Sequence, residues 1–567
     1  FFVGPLFVDA CPSGWQKPDP AGMGCGASTH QGVVLRKSEA EKLAVNLLPG
    51  QLFEDVAFPA ATSSICYDST KPMPGWSTAV WKRASEAFDS PAMFKGRGSN
   101  SLVEQGQVGN CWFISALSII ATRPDILRHL IVAQYPEHGL YEFRFFKGGE
   151  WVNVVVDDFL AFRPEGGLLF ARTTVDGQLW VPLMEKAYAK LHGSYQALAG
   201  GEISYALVDM TGGASEYIRL DSTIGSNLKK KGWLLSKIRQ AKAEQWLLGC
   251  SFQRASSTMV GAGGETAGTQ GLIAGHAYAI LDVHDVQFQG QPVELLKIHN
   301  PWGHGEWHGP WSDKAPEWDQ VPNLKQRLGV VDQDDGCFWM AYSDWEAHAA
   351  FLSVCRTYRN TIGDPFYVIT EPRGSWSVKD NTAGGMGSEK QPQYLVMAER
   401  TTAAFIYLMQ NDYRYDLKRS DYESTRAVSI CVAMADDGER LGSEFFKPGF
   451  FKFGTNFVLS RAIGAELVLQ EGECYDIMPI LKDAGQEANY QLYIFSTNRV
   501  RMKKTIKKGS CEDEYDSIPL VNVTRKITAE WDPKPRHNTY NGSPNLPSGM
   551  ATDNYTETEA KGGWMSG

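Results

Sequence analysis

The hydrophobic pattern is most informative at residues 105–120. There the polar, glycine-rich stretch Gln105-Gly-Gln-Val-Gly-Asn110 runs straight into the nearly unbroken apolar run Cys111-Trp-Phe-Ile-Ser-Ala-Leu-Ser-Ile-Ile120, which stops ahead of Arg123-Pro124. An apolar run of this length predicts a buried helix, and a proline disfavours helical backbone at the residue before it. Cys111 therefore opens a buried helix, where a thiolate would meet the positive end of the helix dipole. Gly106 and Gly109 let the backbone come close, and the Gln105 amide is placed to donate to an oxyanion. Taken alone, the segment also fits a core cysteine that merely precedes a helix.

Two more runs supply partners for a thiolate. Ala274-Gly-His276-Ala-Tyr-Ala-Ile-Leu281 predicts a strand with His276 at its opening, projecting towards a cleft. Lys297-Ile-His-Asn300-Pro-Trp-Gly303 follows another apolar run and sets an asparagine at a strand end. Such an asparagine can accept from the imidazole nitrogen that faces away from the thiol, which fixes the tautomer. In chain order these are nucleophile, base and orienter.

From about Gln51 to Ala350 the pattern is mixed α/β. From Phe351 to Ser496 it turns to short β-type runs, at 393–397, 404–408, 427–432, 450–453 and 491–495, separated by Gly, Asn and Asp clusters. These predict a β-sandwich. Arg499 to Lys508 holds six basic residues, Glu512 to Asp516 turns acidic, and a Pro/Asn/Gly-rich tail follows Trp531. Residues 499–567 are therefore expected to be a basic linker and tail. Gly562-Gly-Trp564 echoes Gly374-Ser-Trp376, as the start of a further, truncated domain would.

Composition narrows the classes. The 567 residues are 43% hydrophobic and 21% charged, enough apolar surface for more than one core. The net charge of −10 argues against nucleic acid as a partner. No apolar stretch is long enough to span a membrane. The 10 cysteines are scattered without a CxxC, which predicts reduced thiols and a cytoplasmic location. Within the lead-in of residues 1–48, Met23-Gly-Cys-Gly-Ala-Ser28 fits an N-myristoylation pattern with an adjacent palmitoylation cysteine. With Met23 as the start, acylated Gly24 and Cys25 would anchor the protein to a membrane surface.

Residues 51–350 resemble the calpain cysteine protease core. The matching motifs, in order, are Leu52-Phe-x-Asp-x-Ala-Phe-Pro59, Trp81-Lys-Arg83, Gln105-Gly-x-x-Gly-x-Cys111-Trp112 and Glu185-Lys-Ala-Tyr-Ala-Lys190. Gly275-His276-Ala-Tyr, Asn300-Pro-Trp-Gly303 and Glu306-Trp-x-Gly-x-Trp-Ser-Asp313 complete the series. Residues 351–498 resemble the calpain β-sandwich through Trp376, Thr382-Ala-Gly-Gly385, Pro392-Gln-Tyr394 and Tyr475-Asp-Ile-Met-Pro479. The resemblance implies an α+β fold: a two-lobed papain-like cysteine protease core followed by an antiparallel β-sandwich. Lobe 1 would be 51–213 and lobe 2 214–350, hinged near Thr211-Gly-Gly213. It implies a thiol endopeptidase that makes limited cuts in protein substrates, with Cys111 as nucleophile, His276 as base and acid, and Asn300 as orienter. Gln105 and the Cys111 amide would form the oxyanion hole. Gly201 and Gly275 match positions that pair with an extended substrate, and Trp302 matches a tryptophan beside the dyad.

The resemblance also implies calcium, and here the chain departs from it. Leu102 and Gln178 stand where the family carries acidic ligands of a first site, so that site is expected to be lost. For a second site Glu306, Asp313 and Asp335 match, with the Gln333 carbonyl, while Cys337 replaces a glutamate. Activation is expected to be weakly calcium-dependent or independent of it. No EF-hand pattern follows the sandwich, so a small-subunit partner is not implied. The alternative is a weakly active or inactive calpain-like scaffold at membrane or cytoskeleton.

Overall fold

The computed structural model describes residues 38–68, 76–95, 102–253, 266–268, 270–358, 367–412, 425–435, 441–442, 453–505, 513–516 and 518–519. The acylation pattern at 23–28, the tail after Trp531 and the predicted strand residues Phe450–Lys452 lie outside them.

The apolar run after Gln105–Asn110 is the helix α1 (Cys111–Ala121), in which every residue from Trp112 to Ile120 is buried. It is buried because two layers close on it. On one side stand the antiparallel strands β1 (Ile131–Tyr135), β2 (Leu140–Lys147) and β3 (Glu150–Asp157), with the helices α2 (Trp180–His192) and α3 (Ile203–Thr211). Phe113 of α1 stacks on Tyr188 of α2, with ring centroids 4.2 Å apart, and the Trp112 indole donates to the Leu198 carbonyl at 2.9 Å. These elements form lobe 1.

The chain crosses to lobe 2 at Gly212 and Gly213, between α3 and strand β4 (Ala214–Arg219). A Cβ on Gly213 would lie 2.3 Å from the Arg356 carbonyl oxygen, so no larger residue fits this crossing. Lobe 2 adds helix α4 (Trp233–Ala243) and strands β5 (Leu247–Phe252), β6 (Ala277–Phe288), β7 (Gln291–His299), β8 (Cys337–Ala341) and β9 (Ala349–Arg356). The sheet order is β4-β9-β5-β6-β7-β8, antiparallel along that path. Because β9 pairs with both β4 and β5, the sheet runs past the expected boundary at 350 to Arg356.

The sandwich has two antiparallel sheets. One orders β14 (Ala462–Leu469), β12 (Thr402–Gln410), β16 (Ala488–Ser496) and β10 (Tyr367–Trp376). The other orders β13 (Ala427–Met434), β15 (Cys474–Leu481), β11 (Gln393–Ala398), β17 (Val500–Thr505) and β18 (Asp513–Asp516). Ile406, Leu408, Ile430, Val432, Ile477, Leu492 and Ile494 fill the space between the sheets. The basic run was expected to be a linker. Instead, Val500–Thr505 pairs with β11, and the acidic Asp513–Asp516 pairs back onto it. In register Arg501 pairs with Asp516 and Lys503 with Glu514, so the segment takes a strand's role.

The sandwich is tied to both lobes by buried charge. Arg461, just before β14, donates to Asp209 of α3 at 2.8 Å, while Lys147 of β2 meets Asp412 at 2.6 Å and also Asp209. Burial opposes the charge on Asp412, but Lys147, Arg461 and His192 outweigh it and hold the carboxyl well below the usual carboxylate range. On lobe 2, Glu466 of β14 meets Arg356 and Lys237, and both cations also hold Glu216, at 2.6 and 2.8 Å. A buried charge left without its partner is costly. Arg461→Met is therefore expected to cost about 3–5 kcal/mol at neutral pH, read from urea unfolding. A loss below about 0.5 kcal/mol, the size of an ordinary surface substitution, would mean that the network does not join the units.

Candidate active site

Cys111 is the first residue of α1, half-buried, and follows the fully buried Asn110. The loop ahead of it is pinned to both lobes. The Gln105 amide nitrogen donates to the Pro301 carbonyl at 2.7 Å, and that of Gln107 donates to Leu169 at 3.0 Å. A Cβ on Gly106 would sit 2.4 Å from the Phe170 Cα, so this close approach requires glycine. The Gln105 side chain donates to the Val108 carbonyl at 2.8 Å, which holds its amide within the loop. Glu185 of α2 braces the loop from below. One carboxylate oxygen accepts from the Asn110 side chain and the other from the Ala171 amide, each at 2.8 Å.

His276 stands just before β6, and Asn300 just after β7. The register Ala279↔His299 aligns these two strand ends. Both side chains are fully buried, and His276 Nε2 lies 2.8 Å from Asn300 Oδ1. The asparagine's orientation is decided by its other end. Its nitrogen donates to the His304 and Gly305 carbonyls at 2.8 and 2.9 Å, and carbonyls only accept. Oδ1 therefore faces the imidazole, Nε2 carries the hydrogen, and in the neutral ring Nδ1 is the basic nitrogen. The Trp302 ring covers His276, with centroids 4.7 Å apart, and its backbone amide donates to the same Asn300 oxygen at 3.1 Å.

Gly201 is exposed, and its neighbour Gly200 donates to the Gly109 carbonyl at 2.9 Å, so Gly201 borders the cysteine loop. Gly275 is exposed beside His276.

The acidic residues form a second constellation on the 306–335 loop. Glu306 Oε1 accepts from the Asp335 and Gly336 amides, both at 3.0 Å, and Asp335 accepts from the Cys337 amide at 2.9 Å. One Asp313 carboxylate oxygen is buried without a hydrogen-bond partner. Burial and the neighbouring Asp313 push Glu306 up to about 7, while burial and Asp335 push Asp313 up to about 6. Carboxylates that crowd one another and leave an oxygen unpaired fit a hard cation, with the Gln333 carbonyl in the same loop. At the first expected position Gln178 accepts from the Lys95 amide at 3.1 Å, so its oxygen serves the fold. Among the described residues, the group whose ligand atoms lie within 4.8 Å of one another is instead His192, Asp209 and Asp412. Lys147 and Arg461 already neutralise that group.

The comparisons with known proteins bear on the whole arrangement. Residues 53–356 match the family described as "Calpain family cysteine protease". The chain is 33% identical to human Calpain-9 over 471 residues, covering 79% of this chain and 65% of that protein. It is 30% identical to mouse Calpain-5 over 478 residues, covering 78% of this chain and 72% of that protein. It is 33% identical to the maize calpain-type cysteine protease DEK1 over 478 residues, covering 80% of this chain but 21% of that protein. The chain belongs to the calpain family. It spans about two-thirds of the length of Calpain-9 and about a fifth of that of DEK1. No described helix is long and apolar enough to cross a membrane.

Three residues of this calpain's site lay outside the sequence reading of its chemistry. Glu185 appeared only as part of a family motif. Ser115 and Ser118 interrupt an otherwise apolar helix, and that interruption was their signal: Ser115 Oγ donates to the Ala277 carbonyl at 2.9 Å, and Ser118 Oγ lies 3.2 Å from His299 Nδ1.

Burial pushes the Glu185 carboxyl up to about 7, against the two bonds that favour its ionised form. A carboxyl raised in the folded state stabilises the protein below its unfolded value, and that contribution is lost as pH rises through the folded value. The stability of Glu185→Gln relative to the parent should thus rise by on the order of 3 kcal/mol between pH 4.5 and 8, since a tenfold change in an acid's ionisation constant is worth about 1.4 kcal/mol. Urea unfolding at both pH values measures it, and an unchanged difference would show that folding does not raise the Glu185 carboxyl.

Proposed function

We propose that this chain is an endopeptidase acting inside the cell, making limited cuts in protein substrates through Cys111, His276 and Asn300. The observation that carries this reading is the His276–Asn300 bond, with the asparagine amide held by two carbonyls. A base fixed in one tautomer presents Nδ1 to take the Cys111 proton, and the thiolate at the start of α1 attacks the peptide carbonyl. The oxyanion that forms would be met by the Cys111 amide and by the second hydrogen of the Gln105 side-chain nitrogen. His276 then protonates the leaving amine, and water, with His276 again as base, releases the acyl group. Gly201 and Gly275, exposed on either side of the cleft, would pair with an extended substrate backbone, and Trp302 would shield the imidazole.

Calcium is proposed as a regulator held by Glu306, Asp313, Asp335 and the Gln333 carbonyl. Its chemistry there would be to neutralise the crowded carboxylates. With the first site's ligands replaced by Leu102 and Gln178, its effect on activity is expected to be weak.

Cleavage of unfolded casein tests the proposal. The parent chain should cut it, and Cys111→Ala should lower the rate at least about 10³-fold, as loss of a nucleophile does. A parent that is folded and cuts nothing would favour the scaffold reading. Calcium is tested separately from activity. Millimolar CaCl2 in place of EDTA should raise the Tm of the parent, because a ligand at 100 times its Kd adds about 2.7 kcal/mol. Asp313→Asn should lose the shift, and a shift surviving in that variant would place the ion elsewhere.

A further inference from the structure

The helix that begins with Cys111 touches the other lobe along a single face. Residues 111, 115 and 118 follow i, i+4, i+7 spacing and so share one stripe of α1. That stripe is where the helix turns polar: Ser115 and Ser118 stand within Trp112–Ile120, all of it buried. A serine inside a helix ordinarily bonds back to the carbonyl four residues earlier. Ser118 does so with Ile114, at 3.1 Å, whereas the Ser115 hydroxyl donates across the lobe boundary to the Ala277 carbonyl, at 2.9 Å.

What these hydroxyls reach matters more than that they are satisfied. Ala277 directly follows His276, and His299, which Ser118 meets at 3.2 Å, directly precedes Asn300. The Ser118 hydrogen is spent on Ile114, so its oxygen accepts from the His299 ring, which therefore carries its hydrogen on Nδ1. Burial, with Lys297 and His276 nearby, pushes His299 down to about 4, which keeps that ring neutral at working pH. One turn and two turns below Cys111, the same helix is thus bonded to the chain neighbours of both other residues of the triad.

We propose that Ser115 and Ser118 are positioning residues: their bonds to Ala277 and His299 set the register of the two lobes and so the approach of the Cys111 thiol to His276. The seam is made of the protein's own hydrogen bonds, and it joins the lobes without help from an ion. The inference rests on the protease reading above and specifies how that site is assembled.

The test separates register from stability and from proteolysis. The full chain is compared with Ser115→Ala, Ser118→Ala, the double variant, Ser115→Thr, and Ser429→Ala. Ser429 is a buried sandwich serine bonded to the Thr455 carbonyl at 2.7 Å, and it controls for loss of a buried hydroxyl. Measured are Tm, kcat and KM on a casein-derived peptide, and the pH profile of Cys111 alkylation by iodoacetamide. A free thiol alkylates appreciably only as pH nears about 8.5, while a thiol paired with an imidazole reacts at lower pH.

In the double variant, kcat is expected to fall roughly tenfold to a hundredfold with KM little changed, as misplacement of about 1 Å does. The acid limb of alkylation should move to higher pH. Ser115→Thr should recover most of both, and Ser429→Ala should lower Tm without moving either. Folded seam variants that keep the parent kcat and alkylation profile would overturn the inference. So would a kcat loss matched by Ser429→Ala at equal loss of Tm. If the double variant does not fold, the single variants decide on the same readouts. A parent that cuts no peptide, yet whose alkylation profile shifts in the seam variants, would overturn the protease reading and leave the seam standing.

Discussion

The structure depends on burying a helix that must still open on a half-buried thiol. Helix α1 is enclosed from Trp112 to Ile120, which stabilises it, and at its first residue it has to open onto a cleft. A single continuous core would enclose Cys111 as well. Two lobes resolve the conflict, because the helix is sandwiched between them and only its N-terminus reaches the gap. The cost is that Cys111 and His276 stand on different lobes, joined by one covalent crossing at Gly212 and Gly213. Everything else in the core serves to hold those lobes in register.

Register is held at two depths. Close to the chemistry, Gln105 donates to Pro301 and Ser115 to Ala277, both across the lobes. Further out, strand β14 of the sandwich bridges them: Arg461 at its start holds Asp209 of lobe 1, and Glu466 holds Arg356 and Lys237 of lobe 2. Buried ion pairs contribute little net stability but penalise any geometry that separates them. Such pairs suit a joint whose task is orientation, and apolar contacts alone would allow the units to slide.

Much of this was legible in the sequence. The helix after Gln105–Asn110 announced itself by an apolar run and a following proline, and the sandwich strands at 393–398, 402–410, 427–434 and 488–496 by their spacing. His276 and Asn300 were legible because each sits where an apolar run meets a turn. The strand at 500–505 was not, since the run 499–508, with six basic residues, looks like a solvated linker until an acidic strand is found paired with it. The limit of lobe 2 at Arg356 was hidden for a related reason, because β9 joins β4 and β5 through long-range pairing. Glu185 and the two serines were missed because the position of a buried polar residue along a helix does not say what it bonds. Its meaning lies in what it touches.

The acidic loop of lobe 2 stands at one remove from Asn300. Glu306 accepts from the Gly336 amide, and the Gly336 carbonyl in turn accepts from the Asn300 amide at 2.8 Å. A change of charge among Glu306, Asp313 and Asp335 would therefore be felt through Gly336 at the asparagine that fixes the imidazole tautomer. The cysteine end of the site is braced differently, by Glu185 beneath Asn110 and by the serines along α1, and none of those contacts passes through the acidic loop. Any ion on the 306–335 loop would reach the site at Asn300, while the serines along α1 reach the neighbours of His276 and Asn300 from the Cys111 side.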